Sequence, residues 1–180
     1  GSELTLKRET AADFGRSTVR FQQSYRGIPV LGGELVVLTD KDKNIISVAG
    51  EILPDSEMDI RPTADASTAM KEALQAIAKQ HEVSVESLAA SQPELWIYNP
   101  SLISPWTGSS RLVWRMEVTP VELGPIRELV LVDAQRGSVV LNFNQVDTAL
   151  NRLTYKTNNT KTLPGVLVCN ESSPTCAAGD

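Results

Sequence analysis

A chain of 180 residues, 41% of them apolar, can bury a packed core as one ordinary domain or two small ones. Its formal charge of −5, from 17 Lys and Arg against 22 Asp and Glu, offers no basic patch to phosphates and no polybasic run to lipid, so neither nucleic acid nor a membrane is an expected partner. No apolar run approaches the roughly 20 residues of a membrane span, and Gly1-Ser2 reads as an expression scar rather than a signal peptide.

The first distinctive stretch is "VRFQQSYRGIPVLGGELVVLTD". Val19, Phe21 and Tyr25 fall on one parity and Arg20, Gln22, Ser24 and Arg26 on the other, which predicts a strand with one wet face. Gly27, Pro29, Gly32 and Gly33 crowd the connection that follows. Residues 35–39 are apolar on both parities, as expected of a central strand covered on both faces. After the polar turn "DKDKN", residues 45–52 supply a third strand, so 18–53 form an antiparallel meander. Residues 54–65 carry linker chemistry, with two prolines and four acids, and are either docked or mobile.

A helix is predicted next: Ala66, Ala69, Met70, Ala73, Leu74, Ile77 and Ala78 recur at helical spacing opposite Lys71, Glu72, Gln75 and Lys79. Thr63 or Asp65 can cap it. Residues 84–90 read as a short second helix, and strands follow at 94–98, 111–119, 126–133 and 138–143. "ELVLVD" is apolar on both parities and so central; "DAQRG" is a tight turn with glycine where a positive φ is wanted. The fold class is α+β: two small units of helix packed on antiparallel sheet, followed by an extended C-terminal segment.

Catalytic groups are scarce. His81 is the only histidine, and its place at the end of the helix suits a structural cation. Asp40, Asp42, Asn44 and Glu51 occupy positions 1, 3, 5 and 12 of a calcium loop, but Ile45 stands where the loop needs glycine, which leaves a solvated turn. Asp55, Glu57 and Asp59 are linker acids. Trp96 and Trp114 lie in strand patterns and are expected in the core, whereas Trp106, in a loop, either folds back or meets a partner. Cys169 and Cys176 flank "NESSPT", consistent with a disulfide closing a small loop in an oxidising compartment, or with two free thiols. The two Asn-x-Ser/Thr triplets are too short to inform, and no Walker loop, dinucleotide fingerprint or nucleophile elbow is present. These features predict a non-catalytic, secreted α+β module.

Residues 19–55, "VRFQQSYRGIPVLGGELVVLTDKDKNIISVAGEILPD", resemble the fungalysin/thermolysin propeptide motif: an Arg-Phe-x-Gln strand, a Gly-x-Pro-Val turn and a following strand ending in x-Gly. Lys43-Asn44 replaces the Asp-Gly often found in the first turn. The helix "DASTAMKEALQAIAKQ", the strand "RLVWRMEV" and the hairpin "LVLVDAQRGSVV" resemble a PepSY domain. "NRLTYKTNNTKTLPGVLV" is similar to the start of a thermolysin-like catalytic domain, with Lys156-Thr157 in place of Asp-Ala. The His-Glu-x-x-His helix of such a peptidase is absent from these residues.

The resemblance implies a propeptide-like domain at 1–60, a PepSY-like domain at 61–145, and at 146–180 a linker and the beginning of a peptidase domain. It implies a secreted chain that carries no catalytic, metal or cofactor site. It would aid the folding of an attached zinc metallopeptidase and inhibit it, with zinc and calcium only in that partner. The segment crossing the substrate cleft would be Phe143, Asn144, Gln145, Val146, Asp147, Thr148, Ala149, Leu150, Asn151 and Arg152. Arg20, Gln22, Tyr25 and Trp106 are candidate peptidase contacts, although Arg20 and Gln22 could equally brace the turn that follows them. The alternative is a free-standing extracytoplasmic PepSY-type binding or inhibitory module.

Overall fold

The computed structural model describes residues 2–54, 57–103, 107–122 and 124–146, and the backbone of 153–156 and 165–170. The chain forms two compact units, Gly1–Gln145 and Val146–Asp180.

In the first unit the elements run β1 (Ser2–Ala11), β2 (Ser17–Tyr25), β3 (Ile28–Thr39), β4 (Ile45–Glu51), α1 (Ala66–His81), β5 (Leu88–Ala90), β6 (Glu94–Tyr98), β7 (Arg111–Pro120), β8 (Glu128–Asp133) and β9 (Val139–Asn144). All nine strands share one sheet in the order β1-β2-β3-β6-β7-β8-β9, with β4 beside β3 and β5 beside β7. The predicted meander is present as β2, β3 and β4. It joins the later strands through one parallel bridge, Val30 to Ile97; the other pairings are antiparallel.

Helix α1 forms where the spacing places it. The Asp65 carboxylate accepts from the Thr68 amide at its start, and Glu82 turns left-handed at its end. Ala69, Ala73 and Ile77 are fully buried, and with Met116, Val118, Val130 and Val132 they make the largest core cluster. The small alanines let the helix axis approach the sheet. β8 is buried along its whole length between β7 and β9, as its two-faced apolar pattern requires.

The linker is docked. Leu53, Met58 and Ile60 pack on Tyr25, Val30 and Ile97. The amides of Thr63 and Ala64 both donate to the Ala134 carbonyl at 2.9 Å, and the Trp114 indole donates to the Ala64 carbonyl at 2.8 Å.

Three local readings are corrected. Residues 84–90 are not a helix: Val85–Ser87 is a single 3-10 turn and Leu88–Ala90 pairs with the end of β7, Leu88 opposite Pro120. So short a helix has little stability of its own, and the strand pairing prevails. Residues 35–38 are central in the sheet but only half-buried, because none of them belongs to a core cluster. Finally, β1 adds a strand ahead of the meander; Leu4 and Leu6 are its only large apolar residues, too short an alternation to read.

In the second unit β10 (Leu153–Lys156) pairs antiparallel with β11 (Val166–Asn170). Cys169 lies on β11, and Cys176 lies outside the described residues.

Candidate functional site

The hairpin of β2 and β3 carries most of the sequence candidates. Tyr25 and Ile28 pair across a two-residue turn in which Arg26 (φ 50°) and Gly27 (φ 82°) are both left-handed, the turn that matches the twist of paired strands. The Arg26 guanidinium lies over the Tyr25 ring at 5.2 Å. Tyr25 itself is buried against Val30 and Ile97. Pro29 sits in β3 opposite Ser24, and Val30, 1% exposed, is the residue that bridges to β6.

Gln22, expected on the wet face, is buried: its side-chain nitrogen donates toward the carbonyls of Val30 (2.7 Å), Gly33 (3.0 Å) and Gln23 (3.0 Å). It braces the connection. The strand departs from regular register between Gln22 and Ser24, which turns both glutamines inward. Arg20 is exposed and pairs with Glu34 on β3. Trp106 lies outside the described residues. The loop leading to it is seated on β3, since Leu102 packs in the Tyr25 cluster and a Cβ on Gly32 would meet Ile103 at 2.9 Å.

Gln23 is the residue the candidate set missed. Its Nε2 donates to the Leu53 carbonyl at 2.7 Å and to the Ser2 hydroxyl at 2.6 Å, while the Leu53 amide donates to its Oε1 at 2.8 Å. One side chain thus ties β1, β2 and the linker. It is the glutamine of the Arg-Phe-x-Gln pattern, so the signal lay in the motif itself. The closing glycine is equally constrained: Gly50 has φ 128°, and a Cβ there would sit 2.0 Å from the Glu34 carbonyl oxygen. The motif positions therefore hold a scaffold together and leave no reactive group between them.

In the turn between β3 and β4, where Lys43-Asn44 replaces Asp-Gly, Lys43 takes the left-handed conformation at φ 66°. Its ammonium reaches Glu9 on β1 at 2.7 Å, which holds the Glu9 carboxyl below its ordinary range. Asp40 is consumed by the turn: it accepts from the Asn44 side chain and amide and from the Asp42 amide, donors that lower its pKa.

His81 has a structural partner beyond the helix dipole. Its Nε2 lies 3.0 Å from the Glu128 carboxylate, which is 1% exposed and also receives Gln80 (3.3 Å) and Asn142 (3.4 Å). Trp96 is half-buried under Arg115, whose guanidinium lies 5.2 Å from the ring centroid.

An open cleft of about 320 Å³ is lined by Met58, Asp59, Ser109, Ser110, Arg111, Asp133 and Arg136, among others. Its carboxylates are engaged: Asp133 accepts from the amides of Gln135 and Arg136 and pairs with Arg111, and Asp59 accepts from the Arg61 amide. Asp55 lies outside the described residues, and among those described no three His, Cys, Asp or Glu are placed to hold a metal ion.

Of the candidate cleft segment, Phe143 and Asn144 end β9, and the Gln145 amide donates to the Arg127 carbonyl at 2.7 Å. Val146 is described, and residues 147–152 are not.

Residues 2–52 match the Fungalysin/Thermolysin Propeptide Motif. Over 146 residues, 81% of this chain, the sequence is 27% identical to 26% of the thermostable neutral protease NprT of Geobacillus stearothermophilus. It is 28% identical over 148 residues to thermolysin of Bacillus caldolyticus, covering 81% of this chain and 26% of that one. Bacillolysin of Brevibacillus brevis is 27% identical over 132 residues, 71% of this chain and 24% of that one. The Bacillus megaterium YpeB C-terminal domain overlays 78% of this chain and 56% of its own at 11% identity, with a TM-score of 0.40. The chain spans about a quarter of the length of the curated relatives it matches. Residues 2–52 thus carry the Fungalysin/Thermolysin Propeptide Motif, and most of the chain is similar to about a quarter of each of these thermolysin-like proteases.

Proposed function

We propose that this chain is the pro-region of an exported thermolysin-like zinc peptidase, and that it both assists the folding of that peptidase and inhibits it until the two are separated. The observation that carries the reading is the propeptide motif at 2–52 within a chain that matches only about a quarter of each protease. The scaffold suits the work. A prefolded surface that binds a partly formed state stabilises it by mass action, which matters most for a fold dominated by non-local contacts. Residues 61–145 act as the PepSY-like half of the pro-region, and 146–180 as the link to the peptidase and its first strands. Zinc and calcium belong to the peptidase, and Cys169 and Cys176 form a disulfide after export.

Inhibition requires a segment that enters the substrate cleft in a slowly cleaved pose, which we assign to residues 143–152. Arg20 and Trp106 remain candidate contacts; Gln22 and Tyr25 serve by holding the hairpin that carries Arg20. The test is an inhibition assay on the mature peptidase from the same gene. The chain is expected to inhibit it, and deletion of 143–152 to weaken inhibition about tenfold or more, the loss of at least one anchoring contact. Absence of inhibition by the intact, folded chain would contradict the inhibitory role.

A further inference from the structure

The open cleft of about 320 Å³ falls within the size of small-molecule sites, about 300–1,000 Å³. Three elements wall it, and hydrogen bonds tie them together. The Ala134 amide donates to the Leu112 carbonyl at 2.9 Å, which joins the turn after β8 to β7. Gln135 fastens that turn to the linker: its Nε2 donates to the Arg61 carbonyl at 2.7 Å and its Oε1 accepts from the Thr63 hydroxyl at 2.6 Å. The cleft's carboxylates are engaged within the chain. Asp133, 4% exposed, accepts from the amides of Gln135 and Arg136 and faces Arg111 at 3.5 Å, and Asp59 takes the Arg61 amide. Its donors are not. The Ser110 hydroxyl oxygen accepts from Asn99 Nδ2 at 3.1 Å, which leaves the hydroxyl hydrogen to give. Among the described residues the Arg136 guanidinium and the Ser109 hydroxyl have no hydrogen-bond or ion-pair partner.

We propose that this cleft binds the carboxylate end of a peptide whose last side chain is apolar. An unpaired guanidinium takes a carboxylate through two parallel N–H bonds, and the free hydroxyl hydrogens of Ser109 and Ser110 supply further donors beside it. Met58, half-buried, and Leu112, 2% exposed, give the same cleft an apolar wall. Charge narrows the ligand. Arg111 and Arg136 are balanced by Asp59 and Asp133, so a dianion such as phosphate or a dicarboxylate meets two carboxylates of its own sign. A single carboxylate beside an aliphatic group matches both the donors and the wall. Peptide-bond hydrolysis is the class of reaction that makes such ends: water gives hydroxide to the carbonyl carbon and a proton to the leaving nitrogen. The site itself goes beyond the propeptide reading, and only this source of ligand rests on it.

The experiment titrates the full chain with N-acetyl-leucine, with its neutral amide, and with aspartate blocked at both ends, following backbone amide shifts by NMR. N-acetyl-leucine is expected to move the amides of residues 109–112 and 133–136 saturably, with a Kd of about 1–10 mM, as a ligand of so few atoms allows. The neutral amide should bind at least tenfold more weakly, since the charge-assisted pair is lost. Arg136→Gln should weaken N-acetyl-leucine by about the same factor, and Arg136→Lys, which keeps the charge without the fork, should recover part of it. The wild-type comparison of acid and amide does not depend on the folding of either variant. Absence of saturable shifts, equal binding of acid and amide, or unchanged binding by a folded Arg136→Gln would overturn the site. Tighter binding of the blocked aspartate would overturn the chain-end assignment and give the cleft to an acidic side chain. The titration contains no peptidase, so its failure and a failure of the propeptide reading are distinguishable.

Discussion

Gln23 and Leu53, thirty residues apart, exchange two hydrogen bonds: Nε2 donates to the Leu53 carbonyl at 2.7 Å and the Leu53 amide donates to Oε1 at 2.8 Å. A side-chain amide here does the work of a strand neighbour, fixing where the chain leaves the meander. Because Gln23 is 3% exposed, its replacement by alanine strands a backbone donor and acceptor away from water. Gln23→Ala is expected to destabilise the first unit by about 2 kcal/mol in urea unfolding.

Gly50 and Arg26 test the backbone of the same hairpins in opposite directions. Alanine at Gly50 would place its Cβ 2.0 Å from the Glu34 carbonyl oxygen at a φ of 128°, so Gly50→Ala should cost about 3 kcal/mol or more. Arg26 holds a left-handed conformation that asparagine adopts more easily. Arg26→Asn should stabilise by about 0.5 kcal/mol, less the lost stacking on Tyr25. Thermal melts of the two variants should move apart around the wild type.

The helix offers a core test and a pH test. Ile77 is fully buried beneath α1, and Ile77→Ala should cost about 2–5 kcal/mol. The Asp65 cap is exposed; its carboxyl is held below its ordinary value of 3.8 chiefly by the Thr68 amide and also by the Ser67 hydroxyl. A depressed folded-state pKa contributes stability that is present above the ordinary carboxylate range and lost as pH falls through the lowered value. The melting temperature of wild type should thus approach that of Asp65→Ala as the pH falls below the ordinary carboxylate range, and Asp65→Ser should retain most of the cap at neutral pH.

Glu128 collects His81, Gln80 and Asn142 around one buried carboxylate. Glu128→Ala leaves those donors without their acceptor and should cost about 2–3 kcal/mol. Gln145 is the converse case: its Oε1 is buried without a hydrogen-bond partner among the described residues. Gln145→Met should therefore be neutral or stabilising in the same chemical denaturation experiment.

The elements whose periodicity was long or two-faced were legible in the sequence: α1 from its alanine and isoleucine spacing, β8 from "ELVLVD", and the meander from its alternation and turns. What escaped depends on partners far along the chain. Residues 88–90 become a strand only because β7 offers an edge to pair with, and Gln22 and Gln23 turn inward only because the register shifts between Gln22 and Ser24. Polarity on one parity marks Arg20 and Gln22, but it cannot distinguish a side chain reaching a partner from one reaching its own backbone. Among the described candidate contacts Arg20 is the one left exposed, and it is paired with Glu34.

The most direct test of the propeptide account is to unfold the mature peptidase encoded with this chain, refold it with and without an equimolar amount of the chain supplied separately, and record recovered activity after the chain is digested away. The account predicts that the chain raises the recovered activity and that Gly50→Ala, which damages the scaffold, raises it less. Equal recovery with and without the folded wild-type chain would contradict it.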